Sequence, residues 1–166
     1  MAARGWAKVA LGAAGAAAAA QAAYTGGTRA LLRHNVARLM DGDPAPLLRM
    51  YAPDATLTFP GEHSWGPVYR GRAEIEGFLR RFLATGLRGE LGAILVAGPP
   101  WATTIAVEFA DHARDPQTGA PLYENRAVIV LRTRRGRIVR EELYEDTQKV
   151  AAFDALLERR AEAVPA

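Results

Sequence analysis

The chain has 166 residues, 49% of them apolar and 23% charged, which fits one globular domain with a short extension and enough apolar chain for a sizeable core. Its net charge of +3 is spread over short basic runs (Arg80-Arg81, Arg132 to Arg135) interleaved with carboxylates and without aromatic platforms, which argues against nucleic acid as a partner. The absence of cysteine excludes disulfides, thiol nucleophiles and thiolate metal sites, and does not choose a compartment.

Residues 1 to 27 differ from everything after them. Arg4 and Lys8 precede an acid-free run rich in alanine. Three readings stay open: a signal-like segment with small-residue cleavage options at Ala18, Ala20 and Ala22, an uncleaved anchor making membrane contact, or a loosely helical extension. Alanine and glycine are weakly apolar, whereas a span wants about 20 strongly apolar residues. The folded domain is expected over residues 28 to 160, followed by a tail of residues 161 to 166.

Thr28 to Met40 carries Leu31, Leu32, Val36, Leu39 and Met40 as a helical stripe, with Thr28 as N-cap and Gly42 as the stop. Asp43-Pro44 opens a short helix that packs Leu47, Leu48 and Tyr51 inward. Pro53-Asp54 reads as a turn, and Ala55 to Phe59 alternates as a strand. Pro60 to Gly71 is a Gly- and Pro-rich loop that nevertheless holds Glu62, His63, Trp65 and Tyr69, as a pocket lid would. Arg72 to Leu83 is an amphipathic helix burying Ile75, Phe78, Leu79, Phe82 and Leu83, stopped at Gly86. Strands follow at Gly89–Ala97 and Trp101–His112, the second with Ile105, Val107 and Phe109 opposite Thr104, Ala106 and Glu108. After a polar connection, Tyr123 to Asp146 is a long hairpin turning at Arg134–Gly136. A last helix runs from Thr147 to Arg160 with Val150, Phe153, Leu156 and Leu157. Helices first, then a run of strands with one inserted helix, predict an α+β fold with helices covering one face of a curved antiparallel sheet.

Taken together, YAPDATLTFPG, YRGRAEIEGFLRRF and YENRAVIVLRTRRGRIVREELYEDT resemble the SnoaL-like branch of the nuclear transport factor 2-like superfamily, over about residues 28 to 160. That group includes ketosteroid isomerase, limonene epoxide hydrolase, scytalone dehydratase and polyketide cyclases. The resemblance implies a cone-shaped sheet wrapped over helices, a hydrophobic pocket at its open end, and a homodimer formed through the sheet. It does not carry an activity across. The isomerase's general base falls on Phe59, its oxyanion tyrosine on Asn35, and its second oxyanion donor among Ala127 to Ile129. Isomerisation by that mechanism is therefore rejected. The epoxide hydrolase Arg-x-Asp pair falls on Ala106 and Glu108, and its last-strand Asp on Leu143.

Glu108 is the leading catalytic candidate: facing a cavity, it would be desolvated and poised for acid–base work; facing solvent, it is a surface residue. His63, beside Glu62 and Trp65, is the second, since histidine shuttles protons near neutrality. Asp111-His112 either orients another group or marks the strand end. Asn35, Leu57, Phe59, Trp65, Asn125 and Glu141 are the candidate substrate-binding residues. By the resemblance, Glu141, Leu143 and Glu145 face inward; by apolar pattern alone, Ile138 and Tyr144 would put Glu142 inside instead. No spacing of His63, Asp111 and His112 matches a metal motif, so neither metal nor organic cofactor is expected. Two functions remain: a cofactor-independent acid–base enzyme (isomerase, cyclase, dehydratase or hydrolase) acting on a hydrophobic small molecule, or a non-catalytic ligand-binding or dimerisation module.

Overall fold

Helix α1 spans Ala3–Met40 in the computed structural model, which describes residues 3 to 162. Met1, Ala2 and residues 163 to 166 of the expected tail lie outside the described residues. The expected boundary between residues 27 and 28 falls inside this helix, so Thr28 is an interior residue and not an N-cap. Two consecutive glycines cost a helix about 1 kcal/mol each relative to alanine. Tertiary bonds on both sides of the pair offset that. Gln21 Nε2 donates to Gly98 O at 3.0 Å and Tyr24 OH meets Thr103 Oγ1 at 2.7 Å. Beyond the pair, Arg29 donates to Ile94 O at 2.9 Å, and Arg33 to Leu91 O at 3.1 Å and Gly92 O at 2.8 Å. No helix among the described residues is long and apolar enough to cross a membrane.

After the short α2 (Ala45–Leu48), six strands form one sheet: β1 Tyr51–Thr58, β2 Val68–Arg70, β3 Arg88–Ala97, β4 Thr104–Arg114, β5 Pro121–Arg134 and β6 Arg137–Glu145. Their order is β2-β1-β6-β5-β4-β3. Helix α3 (Gly71–Ala84) is inserted between β2 and β3, and α4 (Thr147–Glu162) closes the chain. The fold is thus α+β, with a curved, unclosed sheet. The sheet is mixed and not antiparallel throughout, because β1 and β6 run parallel. Three successive antiparallel steps from β3 fix the direction of β6, and it meets β1 running the same way. Strand β1 also begins earlier than its alternation suggests. Tyr51 lies in the strand and not on α2, and Pro53-Asp54 sits in a stretch where the β1–β6 register shifts. Proline is tolerated at such an irregularity because no ladder bond needs its missing N–H.

The concave face carries the core. On β4 it is Ile105, Val107, Phe109, Asp111 and Ala113; on β5 it is Tyr123, Asn125, Ala127, Ile129 and Leu131. Helix α3 presents Ile75, Phe78, Leu79 and Phe82, one stripe at helical spacing, and α4 presents Val150 and Phe153. Leu32 and Leu39 of α1 close the remaining side. Register shifts in the β3–β4, β4–β5 and β5–β6 ladders mark bulges, which bend strands and strengthen twist. The bend leaves a space between sheet and helices.

Candidate functional site

That space is a cavity of about 100 Å³. It is of the order of the ~150 Å³ apolar cavity that admits a benzene ring. Its wall is apolar nearly throughout, from Val36 and Met40 of α1, through Phe78, Leu79 and Phe82 of α3, to Val150 and Phe153 of α4. The exceptions all come from the sheet: Tyr51 on β1, Asp111 on β4, Tyr123 on β5, and Glu141 and Glu145 on β6. Among the described residues no lysine, arginine or histidine lines it.

The polar groups fall into two clusters. At one, Tyr51 OH donates to Glu141 Oε2, both residues being buried. Burial pushes the Glu141 carboxyl up to about 7, against the opposing pull of the Tyr51 hydrogen bond. Burial likewise raises the Tyr51 hydroxyl, reinforced by the carboxylate charge beside it. At the other cluster, Asn125 Nδ2 lies 3.0 Å from Glu145 Oε2, 3.0 Å from Tyr123 OH and 3.1 Å from Asp146 O. Tyr123 OH is 3.4 Å from the same Glu145 oxygen. Burial, and then the charge of Asp111, push Glu145 up to about 8, while its bonds from Tyr123 and Asn125 pull the other way. Burial takes Asp111 up to about 6, opposed by its own backbone N–H. Asp111 Oδ1 is buried without a hydrogen-bond partner. Burial and the two nearby carboxylates raise Tyr123 as well. Glu141 and Glu145 are four residues apart on one strand, so the clusters are roughly 13 Å apart along it.

Over the cavity lies the loop of residues 59 to 67, closed by Phe59 N donating to Pro67 O at 3.0 Å. It drops Phe59 and Trp65 into the wall. The loop is pinned from two helices. Ser64 donates through N and Oγ to the Asp154 carboxylate at 2.7 and 2.6 Å. Arg81 donates to Ser64 O at 2.8 Å and lies over the Trp65 ring, 4.3 Å from its centroid.

Of the residues singled out by sequence, Phe59, Trp65 and Glu141 line the cavity. Asn125 stands behind the wall and holds Glu145. Leu57 is wholly buried in the core beside it. His63 is half-buried in the loop, its Nε2 3.1 Å from Pro60 O and its ring 4.6 Å from that of Phe59, with Nδ1 lacking a partner. Asn35 is buried toward a separate hollow with Leu31, Pro46, Arg49 and Met50. Glu108 is exposed on the convex face, where its Oε2 accepts from Ala93 N at 3.3 Å. The carboxylate of β4 that reaches the cavity is Asp111. The row Ile105, Val107, Phe109 leads to it at the next inward position, and that row was the signal for it. Glu142 lies on the other face from Glu141, which resolves the question of which of the two faces inward. Among the described residues no three His, Asp or Glu side chains converge as metal ligands.

Residues 32–141 match the model of the SnoaL-like domain. The chain belongs to the SnoaL-like domain family. Solved structures share the fold of this SnoaL-like chain. It resembles a nuclear transport factor 2-like protein of unknown function from Burkholderia pseudomallei at TM-score 0.63 and 21% identity, covering 76% of this chain and 95% of the other. A putative polyketide cyclase from Xanthomonas campestris pv. campestris matches at TM-score 0.55 and 21% identity, covering 75% and 93%. TerC, co-crystallised with polyporic acid, matches at TM-score 0.61 and 23% identity, covering 79% and 97%. Comparison with curated proteins finds no match to this sequence.

Proposed function

We propose that this SnoaL-like domain binds a hydrophobic small molecule in the cavity and moves protons on it without an organic cofactor, as an isomerase, cyclase, dehydratase or hydrolase does. One observation carries the reading: a largely apolar cavity holds three carboxylates shifted toward neutral pH. Pairs of titratable groups whose environments push them apart divide the acid and base roles between them. With Asp111 near 6 and Glu145 near 8, at pH 7 the first is mainly a carboxylate base and the second mainly a protonated acid. Glu141, hydrogen-bonded by Tyr51, sits between the two values and orients or protonates the far end of the ligand. Phe59 and Trp65 supply apolar wall, and Asn125 positions Glu145. Glu108 has no part in this chemistry; His63 contributes through the loop it stiffens. The polyporic acid bound by TerC supports a small-molecule role for this cavity.

The test is a thermal-shift series on the whole chain with steroid-like, terpenoid and polyketide-like compounds, followed by turnover of any hit. Mass action makes a true cavity ligand raise the midpoint with concentration. Turnover is expected to fall at least a hundredfold in Asp111→Asn and in Glu145→Gln, as loss of a general acid or base does. Binding without turnover would leave a non-catalytic carrier; no binding would overturn the reading. The chain is further proposed to pair through its convex sheet face, where Leu95, Val128 and Tyr144 stand 66%, 44% and 53% exposed.

A further inference from the structure

Among the described residues the cavity holds three carboxylates, two tyrosines and no cation. The one buried carboxylate outside the cavity among the described residues is not left so. Asp154 takes two bonds from Ser64 and has Arg81 at 3.5 Å. Glu145 has only the neutral donors Asn125 and Tyr123, and neither it nor Asp111 has a cationic partner among the described residues. The residues that α1, α3 and α4 contribute to the same cavity, among them Val36, Met40, Phe82, Val150 and Phe153, are all apolar. From β5 the two carboxylates face Tyr123 and Asn125, and from the end of β6 the like charge of Asp146. The basic groups nearest by position, His112, Arg114, Arg126 and Lys149, border the outer hollow on the far side of Asp111 and do not line the cavity. Lys149 Nζ donates to Glu124 O at 3.1 Å. Asp111 Oδ1, buried and unpartnered, is an acceptor with nothing to accept from.

We infer that the ligand of this cavity is a small hydrophobic amine, with its apolar body among the Phe and Leu side chains and its ammonium at the Asp111–Glu145 end. The inference rests on the reading of the cavity as a ligand site and names the ligand's class. An ammonium supplies a positive charge and a donor for Asp111 Oδ1, whereas a carboxylic acid ligand would add a like charge to a site without a cation. A neutral alcohol satisfies Asp111 Oδ1 by one hydrogen bond but leaves the charge unpaired.

The experiment uses the full chain and three probes of one shape: phenethylamine, 2-phenylethanol and phenylacetic acid, with affinities measured by calorimetry. At pH 7.5 the amine is expected to bind at least tenfold tighter than the alcohol, and the acid more weakly than either. An ammonium at this end favours ionised carboxylates, so binding releases protons. The amine's affinity should therefore rise between pH 6 and pH 8, by at most about tenfold per pH unit for each proton, and the alcohol's should not. The sign of proton exchange is read by repeating the titration in buffers of different ionisation enthalpy. In Asp111→Asn and Glu145→Gln the amine-to-alcohol ratio should collapse to within about threefold. Should either variant fail to fold, the ratio, its pH slope and the proton count on the native chain decide. Alcohol binding as tightly as amine, a flat or falling pH slope, or a ratio unmoved in both folded variants overturns the inference while leaving the cavity a ligand site. Absence of binding by all three, together with failure of the broader compound series, overturns both.

Discussion

Glu141 accepts its hydrogen bond from Tyr51 where water does not reach, so its protonation and the fold are linked. Its carboxyl titrates near 4.5 when the chain is open and near 7 in the fold. The folded state holds the proton more tightly. The group's contribution to stability is therefore complete below pH 4.5 and declines as pH rises to 7, where it levels off. A gap of this size corresponds to about 3 kcal/mol. Glu141→Gln cannot ionise, so the difference in unfolding free energy between variant and native chain should swing in the variant's favour by this order between pH 4.5 and pH 7.5. Urea titrations at three pH values measure it, and parallel profiles would refute it. That Glu141 faces inward was legible only by resemblance. Ile138 and Glu141 are both buried although three residues apart, because the β5–β6 register shifts between Arg132 and Thr133. Simple alternation from Ile138 would place Glu142 inside, and nothing in the residue types of β6 announces the extra residue. The Tyr51 partnership was hidden for a related reason: the two residues are 90 positions apart and meet across a parallel pairing.

At the scale of elements, strand β3 and the lid loop each depend on one contact that the sequence does not advertise. Gly89 on β3 is opposite Asp111, and a Cβ built there would lie 1.9 Å from Cζ of Phe109. Glycine in a strand often marks such a close approach. Gly89→Ala must displace the Phe109 ring toward the cavity it lines, and overpacking of this kind costs about 1–3 kcal/mol. The thermal midpoint should fall accordingly, and ligand affinity with it; a midpoint within one degree of native would show that the ring has room to move. The lid loop is held chiefly by Asp154, buried on α4. Asp154→Ala leaves Ser64 N and Arg81 short of a partner, a loss of about 0.5–1.5 kcal/mol for each hydrogen bond. Hydrogen exchange at Ser64 and its neighbours should quicken well beyond that in β4, whereas uniform exchange across the chain would mean the loop is held by its apolar side chains alone. The helical stripes of α3 and α4 and the long β5–β6 hairpin were readable from periodicity, because each buries one face against the sheet. The Ser64–Asp154 clamp joins residues 90 positions apart, and such pairings leave no local trace.

For the molecule as a whole, the convex face is the proposed pairing surface and the N-terminal helix bears on where the domain begins. Val128 and Tyr144 stand opposite each other on β5 and β6 and are both exposed, as a self-complementary face requires. The native chain is expected to scatter light as a dimer and Val128→Lys as a monomer; a monomeric native chain would overturn the pairing, and an unchanged mass in the variant would move the interface elsewhere. The helix asks a different question, because composition divides the chain near residue 27 while the contacts divide it earlier. Gly15 to Ala20 are exposed, whereas Gln21 and Tyr24 hold Gly98 and Thr103, and Arg29 and Arg33 cover carbonyls at the bulged edge strand β3. An edge strand with unpaired carbonyls is a template for unwanted pairing, and this helix covers it. Removing residues 1 to 20 keeps the bonds of Gln21 and Tyr24 and sets the reference midpoint. Removing residues 1 to 27 takes away Gln21 and Tyr24 and exposes Thr103, and at about 1 kcal/mol for each hydrogen bond should lower it by several degrees. Equal midpoints for the two truncations would show that composition, and not contact, marks where the domain begins.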